Sequence, residues 1–81
     1  MRVTVKLFAV AKERAGCDAV EVELPEAALV RQLRTALAEQ HPSLAGIVPH
    51  ARFAINNEYC GDQVAIPAAA EIAIIPPVSG G

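Results

Sequence analysis

The residues best suited to chemistry lie at the end of the sequence, Ile75-Pro76-Pro77-Val78-Ser79-Gly80-Gly81. At average usage, a Pro-Pro and a closing Gly-Gly together arise by chance about once in 10⁵. Pro76 and Pro77 fix φ and favour an extended polyproline path, so residues 76–81 are expected to form a flexible tail projecting from the body. Gly80 and Gly81 carry no side chains and fit a channel too narrow for any other residue. Val78 to Gly81 spans ~13 Å when extended. The reactive group at such a tip is the carboxylate of Gly81. A carboxylate is a poor electrophile and needs activation, most simply as a mixed anhydride with AMP. Once activated, it can accept sulfur and become a thiocarboxylate.

Other nucleophiles and ligands make weaker cases. Cys17 and Cys60 could carry a persulfide, but nothing in their surroundings marks a thiol of depressed pKa. His41 and His50 have no ligand spacing with each other or with the cysteines, so no metal site is expected. Two cysteines are too few for a four-cysteine iron–sulfur cluster or a disulfide framework. Ser43 and Ser79 lack matching His and acid partners. No glycine-rich loop leads into a helix, so no phosphate cradle is expected.

The elements that must position the tail are few. The chain has 81 residues, one domain's worth, expected to span 1–81. Of its apolar residues, 16 are alanine and 21 are Val, Ile or Leu, with only Phe8, Phe53 and Tyr59 aromatic. That suffices for one thin core. Val3, Val5 and Leu7 alternate with polar residues, as do Val20, Val22 and Leu24, which predicts two half-buried strands in an antiparallel hairpin. Ala9 to Ala15 reads as a short helical turn ended by Gly16. Leu29, Val30, Leu33, Ala36 and Leu37 recur at helical spacing, predicting a main helix over Glu26 to Gln40. Pro42 stops it, and Pro42 to His50 is expected to be a loop. Phe53 and Ile55 begin a third strand. Asn56-Asn57-Glu58 then turns into a short return at Tyr59 and Cys60. Val64 to Ile66 reads as a further short piece, and Glu71 to Ile75 as the last strand, closed by Pro76-Pro77. One helix across a mixed sheet of four or five strands is an α+β, β-grasp arrangement. The rival ferredoxin-like sandwich needs a second long helix, for which the prolines leave no room.

With this body and a Gly-Gly end, the sequence resembles the small, sulfur-carrier subunits of molybdopterin synthase (the MoaD family, ubiquitin-like) over essentially its whole length. Leu7-Phe8-Ala9 with Glu13 and Gly16, Ala54-Ile55-Asn56 with Tyr59, and Ile74 to Gly81 carry the likeness. The resemblance implies that an adenylating, E1-like activating enzyme uses ATP to place AMP on Gly81, and that a sulfur donor converts the adenylate to a thiocarboxylate. The tail, with Gly80, then enters the large synthase subunit, the two proteins forming a heterotetramer, and sulfur passes to cyclic pyranopterin monophosphate. It implies no bound cofactor and no catalytic side chain. Two departures stand out. The family often has an Asp-Gly-Asp-Glu-like turn where this chain has Ala68-Ala69-Ala70-Glu71, and Lys12 replaces a basic residue that is often Arg.

Phe8 lies on the outward parity of the first strand with Thr4 and Lys6, and Ile75 is out of step with Ile72 and Ile74; Ala54 and Ala73 also face outward. A docking patch of Phe8, Tyr59 and Ile75 is therefore expected, with Lys12 and tail residues Pro76, Pro77, Val78 and Ser79 as further partner contacts. The body has to help. Ordering five tail residues costs ~5–10 kcal/mol, while burying three large side chains returns ~4–9 kcal/mol. The basic residues are scattered and the net charge is −2, so no nucleic-acid partner is expected. No signal peptide or membrane span is legible, which points to the cytoplasm. Three alternatives remain open: a sulfur carrier for thiamine thiazole formation, a ubiquitin-like protein modifier joined to lysines through Gly81, and a plain interaction domain whose tail is inert.

Overall fold

The computed structural model describes residues 1–77. Five strands, β1 (Arg2–Leu7), β2 (Ala19–Glu23), β3 (Arg52–Ile55), β4 (Glu58–Cys60) and β5 (Glu71–Ile75), form one mixed sheet in the order β2-β1-β5-β3-β4. The β1–β5 pair is parallel and the others are antiparallel. Two helices, α1 (Ala9–Ala15) and α2 (Val30–Gln40), complete the expected β-grasp architecture.

The alternation in β1 and β2 works as the period-two rule requires. Val3, Val5 and Leu7 are buried, and Arg2, Thr4 and Lys6 are exposed. Across the hairpin Val3 sits opposite Val22 and Val5 opposite Val20, so both strands turn their branched side chains to one side. Phe53, Ile72 and Ile74 extend that face. Val30, Leu33 and Leu37 of α2 and Ala11 of α1 are buried with it. Gly16 ends α1 at φ 74°, a left-handed position that costs glycine little. Asn56 and Asn57, at φ 50° and 70°, form the two-residue turn between β3 and β4, the primed geometry that suits asparagine.

The structure corrects the sequence reading in four places. The main helix starts at Val30 rather than Glu26. Ala27 takes φ 58°, which breaks any continuous helix, and the amides that open α2 find partners elsewhere. Val30 donates to the Val64 carbonyl and Arg31 to that of Asp62, each at 2.9 Å, while Leu29 donates to Gln32 Oε1 at 2.7 Å. The 61–67 segment thus replaces the expected first turn, and instead of a strand it makes a single bridge, Leu29 to Ala65.

The second correction concerns Pro42 to His50. It holds two short 3₁₀ turns, Pro42–Leu44 and Val48–His50, that bury Leu44, Ile47 and Val48 in the core. Arg34 of α2 fastens this segment by donating to the Val48 and Ala51 carbonyls, and it reaches Asp62 at 2.8 Å. Third, Phe8 lies just beyond β1 in extended conformation, with Ala9 turning sharply at φ 51° into α1. Fourth, Pro76 is buried and continues the inward parity of Ile72 and Ile74, while Pro77 is exposed. Pro76 therefore packs with the body, and is not part of the projecting tail expected from residue 76 onward.

Candidate functional site

Both helices cover the inner face of the sheet, and the outer face divides into two halves. Its charged half is self-paired. Arg2 contacts Glu23 at 2.6 Å and Glu21 at 3.7 Å, and Lys6 contacts Glu71 at 3.3 Å. These exposed pairs are worth little to stability, but they leave few charges unmatched.

The other half is apolar. Strand register makes it: Ala54 lies opposite both Tyr59 and Ala73, Lys6 opposite Ala73, and Arg52 opposite Ile75. Small alanines in the middle of this face leave a depression of about 240 Å³, lined by Phe8, Ala54, Asn57, Tyr59, Ala73 and Ile75. Phe8 is 47% exposed and Tyr59 59%, so two aromatic rings stand at its margins with much of their surface in water. Ile75 is half-buried. Ala54 points outward by parity, yet its neighbours cover it almost entirely. Phe8, Tyr59 and Ile75 are thus brought together as predicted. Ile75 leads directly into Pro76 and Pro77, so the depression lies at the root of the tail.

Lys12 does not line the depression. It sits exposed on α1, where a 2.8 Å contact ties it to Asp18. The hydrogen bond to Asp18 and that carboxylate's charge hold the lysine above its ordinary value. Val78, Ser79, Gly80 and Gly81 lie outside the described residues. Asn57 and Arg52 were missed as site residues. Asn57 looked like turn chemistry alone. Arg52, whose guanidinium lies 4.5 Å from the centroid of the Tyr59 ring, was signalled only by sharing the outward parity of Ala54.

The surroundings of Cys60 disfavour its thiolate. Cys60 is half-buried, with its Sγ 3.5 Å from the Phe53 carbonyl. Burial, and next the nearby Asp62 charge, push its thiol up. Cys17 is exposed and contacts the Ala19 carbonyl at 3.3 Å. Among the described residues no three His, Cys, Asp or Glu side chains gather in a way that could hold a metal ion. Nor is any described helix long and apolar enough to cross a membrane.

Comparison with known proteins agrees with this geometry. The ThiS family model matches residues 5–81. The molybdopterin synthase sulfur carrier subunit of Chlamydomonas reinhardtii is 36% identical, covering all of both chains. The human subunit of the same name is 35% identical, covering 99% of this chain and 94% of its own. Among solved structures, SAMP1 of Haloferax volcanii superposes with a TM-score of 0.84 at 32% identity, covering both chains fully. The chain belongs to the ThiS/MoaD family of ubiquitin-like β-grasp proteins, and its full-length curated relatives are molybdopterin synthase sulfur carrier subunits.

Proposed function

We propose that the chain is the sulfur carrier subunit of molybdopterin synthase and works through the carboxylate of Gly81. Supporting this reading above all is the apolar depression at the root of a Gly-Gly tail, in a chain whose full-length relatives bear that name. In the proposed cycle an E1-like enzyme transfers AMP from ATP to the Gly81 carboxylate and releases pyrophosphate. Sulfide-level sulfur from a donor then attacks the acyl carbon, AMP departs, and a thiocarboxylate remains. In the large synthase subunit the thiocarboxylate sulfur bonds to cyclic pyranopterin monophosphate, water then attacks the acyl carbon and cleaves its C–S bond, and the tail returns as a carboxylate; two such tails in succession supply the two sulfurs. The cycle would run in the cytoplasm, with two carriers and two large subunits in a heterotetramer.

The body's own residues bind and orient. Phe8, Tyr59 and Ile75 supply apolar area for docking, and Pro76, buried against the body, gives the tail a fixed starting direction. Holding the reacting carbon in place this way lowers the entropy lost at the moment of attack.

Intact mass spectrometry after incubation with activating enzyme, ATP and a sulfur donor tests the first stage. The expected product gains the mass of one sulfur less one oxygen, localised to Gly81. Adding large subunit and pterin precursor should then yield molybdopterin; a thiocarboxylated chain that yields none would point to the thiazole carrier. A second reading has its own support in the likeness to SAMP1, a small archaeal modifier protein. A ladder of covalent conjugates in cell extract would favour that role.

A further inference from the structure

We propose that Arg52, stacked on Tyr59, is the charged specificity element of the docking face and pairs with a carboxylate side chain of the partner that receives the tail. This rests on the sulfur-carrier reading above and adds to it the chemistry of the partner's surface. Arg52 is exposed on the outer face, opposite Ile75, with its guanidinium 4.5 Å from the Tyr59 centroid. The other outward cations of this face are already matched, Arg2 to Glu23 and Glu21, and Lys6 to Glu71. Among the described residues Arg52 has no carboxylate within ion-pair distance. It is an uncompensated positive charge on the apolar half of the face of a chain whose net charge is −2.

A partner that covers Phe8, Tyr59 and Ile75 must also remove water from Arg52. Desolvating an unpaired guanidinium is costly, so a partner with a purely apolar surface would be rejected, and one carrying a carboxylate at this point accepted. The Tyr59 ring favours this by holding the planar fork in place before contact. Tyrosine and arginine are also the residue types that dominate binding energy at interface centres. The anion is not the end of this chain's own tail when extended: Gly81 lies six residues beyond Ile75, ~20 Å away. A nucleotide carried on an extended tail would be equally remote.

Calorimetric titration of the full chain with purified large synthase subunit, at low and high salt, tests the proposal with R52Q, R52K and R52E. Wild type should bind. At low salt R52Q should bind about tenfold more weakly, R52E more weakly still and R52K in between, with the differences shrinking at high salt. Thermal unfolding of all three should match wild type. If R52Q keeps wild-type affinity and salt dependence, the proposal is wrong while the sulfur-carrier reading stands. A loss of the same factor at every salt concentration would also overturn it, because Arg52 would then act only by packing on Tyr59. Binding of AMP to the free wild-type chain, lost in R52Q, would reassign the anion to a nucleotide and overturn it too. If wild type fails to bind the subunit, the sulfur-carrier reading falls and takes the proposal with it.

Discussion

Replacing Ala69 by glycine should make the protein more stable. Ala69 sits at φ 62°, fully outside the region that a side chain with Cβ prefers, and Ala70 donates to the Pro67 carbonyl at 3.3 Å. A positive φ at the third residue of a hydrogen-bonded four-residue turn is the type II arrangement, which calls for glycine there. The left-handed conformation costs an alanine ~1–2 kcal/mol, and glycine removes that cost. Glycine in turn gives the unfolded chain more freedom, worth ~0.4–1 kcal/mol against folding. Ala69 is exposed, so no packing is lost. The net expectation is a gain of ~0.5–1 kcal/mol, or about 2–8 °C in the thermal midpoint for a domain of this size. Urea unfolding measures it, with an unchanged slope as the sign that only stability moved. Ala68→Gly is the control, since Ala68 is exposed and not at positive φ: it should lose ~0.4–1 kcal/mol. An Ala69→Gly chain that is no more stable than the parent, or two substitutions that shift stability in the same direction, would refute the strain argument. The departure from the glycine-containing family turn is thus one of cost, since Ala69 holds the φ that glycine would take freely.

Three further outcomes are expected. Phe8→Ala should weaken association with the large subunit by about 30- to 100-fold, since the exposed half of the ring, ~100 Å², contributes ~2.5 kcal/mol on docking; the stability loss in urea should stay below ~2 kcal/mol, and intact binding with a larger loss of stability would make Phe8 a core residue. Gln40→Ala should cost ~1 kcal/mol in urea with no change in affinity, because Gln40 Nε2 donates to the Glu23 carbonyl at 3.0 Å and the Glu23 amide donates to Gln40 Oε1 at 2.9 Å; an unchanged midpoint would count against that pairing. One residue added after Gly81 should alter stability by less than ~0.5 kcal/mol yet abolish thiocarboxylate formation, since it moves the carboxylate ~3.3 Å; an untrimmed extended chain that is sulfurated at the parent rate would show that the tail is not the site.

Which parts of this fold were legible follows from how local their causes are. The strands β1 and β2 could be read because period-two burial is written into alternating branched residues, Val3, Val5 and Leu7 in one and Val20 and Val22 in the other, and the asparagine turn because its conformational need is met by Asn56 and Asn57 themselves. The start of α2 was not legible. Its opening amides are satisfied by carbonyls of Asp62 and Val64, more than thirty residues away, and no pattern around Glu26 announces that. The buried role of Leu44, Ile47 and Val48 was hidden for a similar reason: prolines at 42 and 49 signal a loop, but the loop is pinned over the core by Arg34 from another element. The site divides the same way. Parity alone found Phe8 and Ile75, whereas the stack of Arg52 on Tyr59 depends on the β3–β4 register and on side-chain reach.

The two edges of the sheet treat approaching chains differently, and this bears on where a partner can sit. At the β2 edge, Gln40 pairs with both backbone groups of Glu23, and His41 Nε2 donates to the Glu21 carbonyl at 2.8 Å. A carbonyl can only accept, so that ring nitrogen carries the proton. Side chains at the end of α2 thereby occupy groups that would otherwise pair with another strand, a protection that exposed edges need. On the outer face near that edge, charges are matched within the chain by Arg2 with Glu21 and Glu23. Across the sheet the balance reverses: alanines replace charges, two aromatic rings stand in water, and Arg52 lacks a carboxylate among the described residues. On the outer face of the sheet, among the described residues, an incoming protein therefore finds its gain in buried apolar area at the β5–β3–β4 side, which is also where Ile75 passes into the tail. Under the proposed function, docking at this side would set the origin of the tail at Pro76 and leave the last residues to reach the partner's interior, with affinity carried by the body and chemistry by the tip.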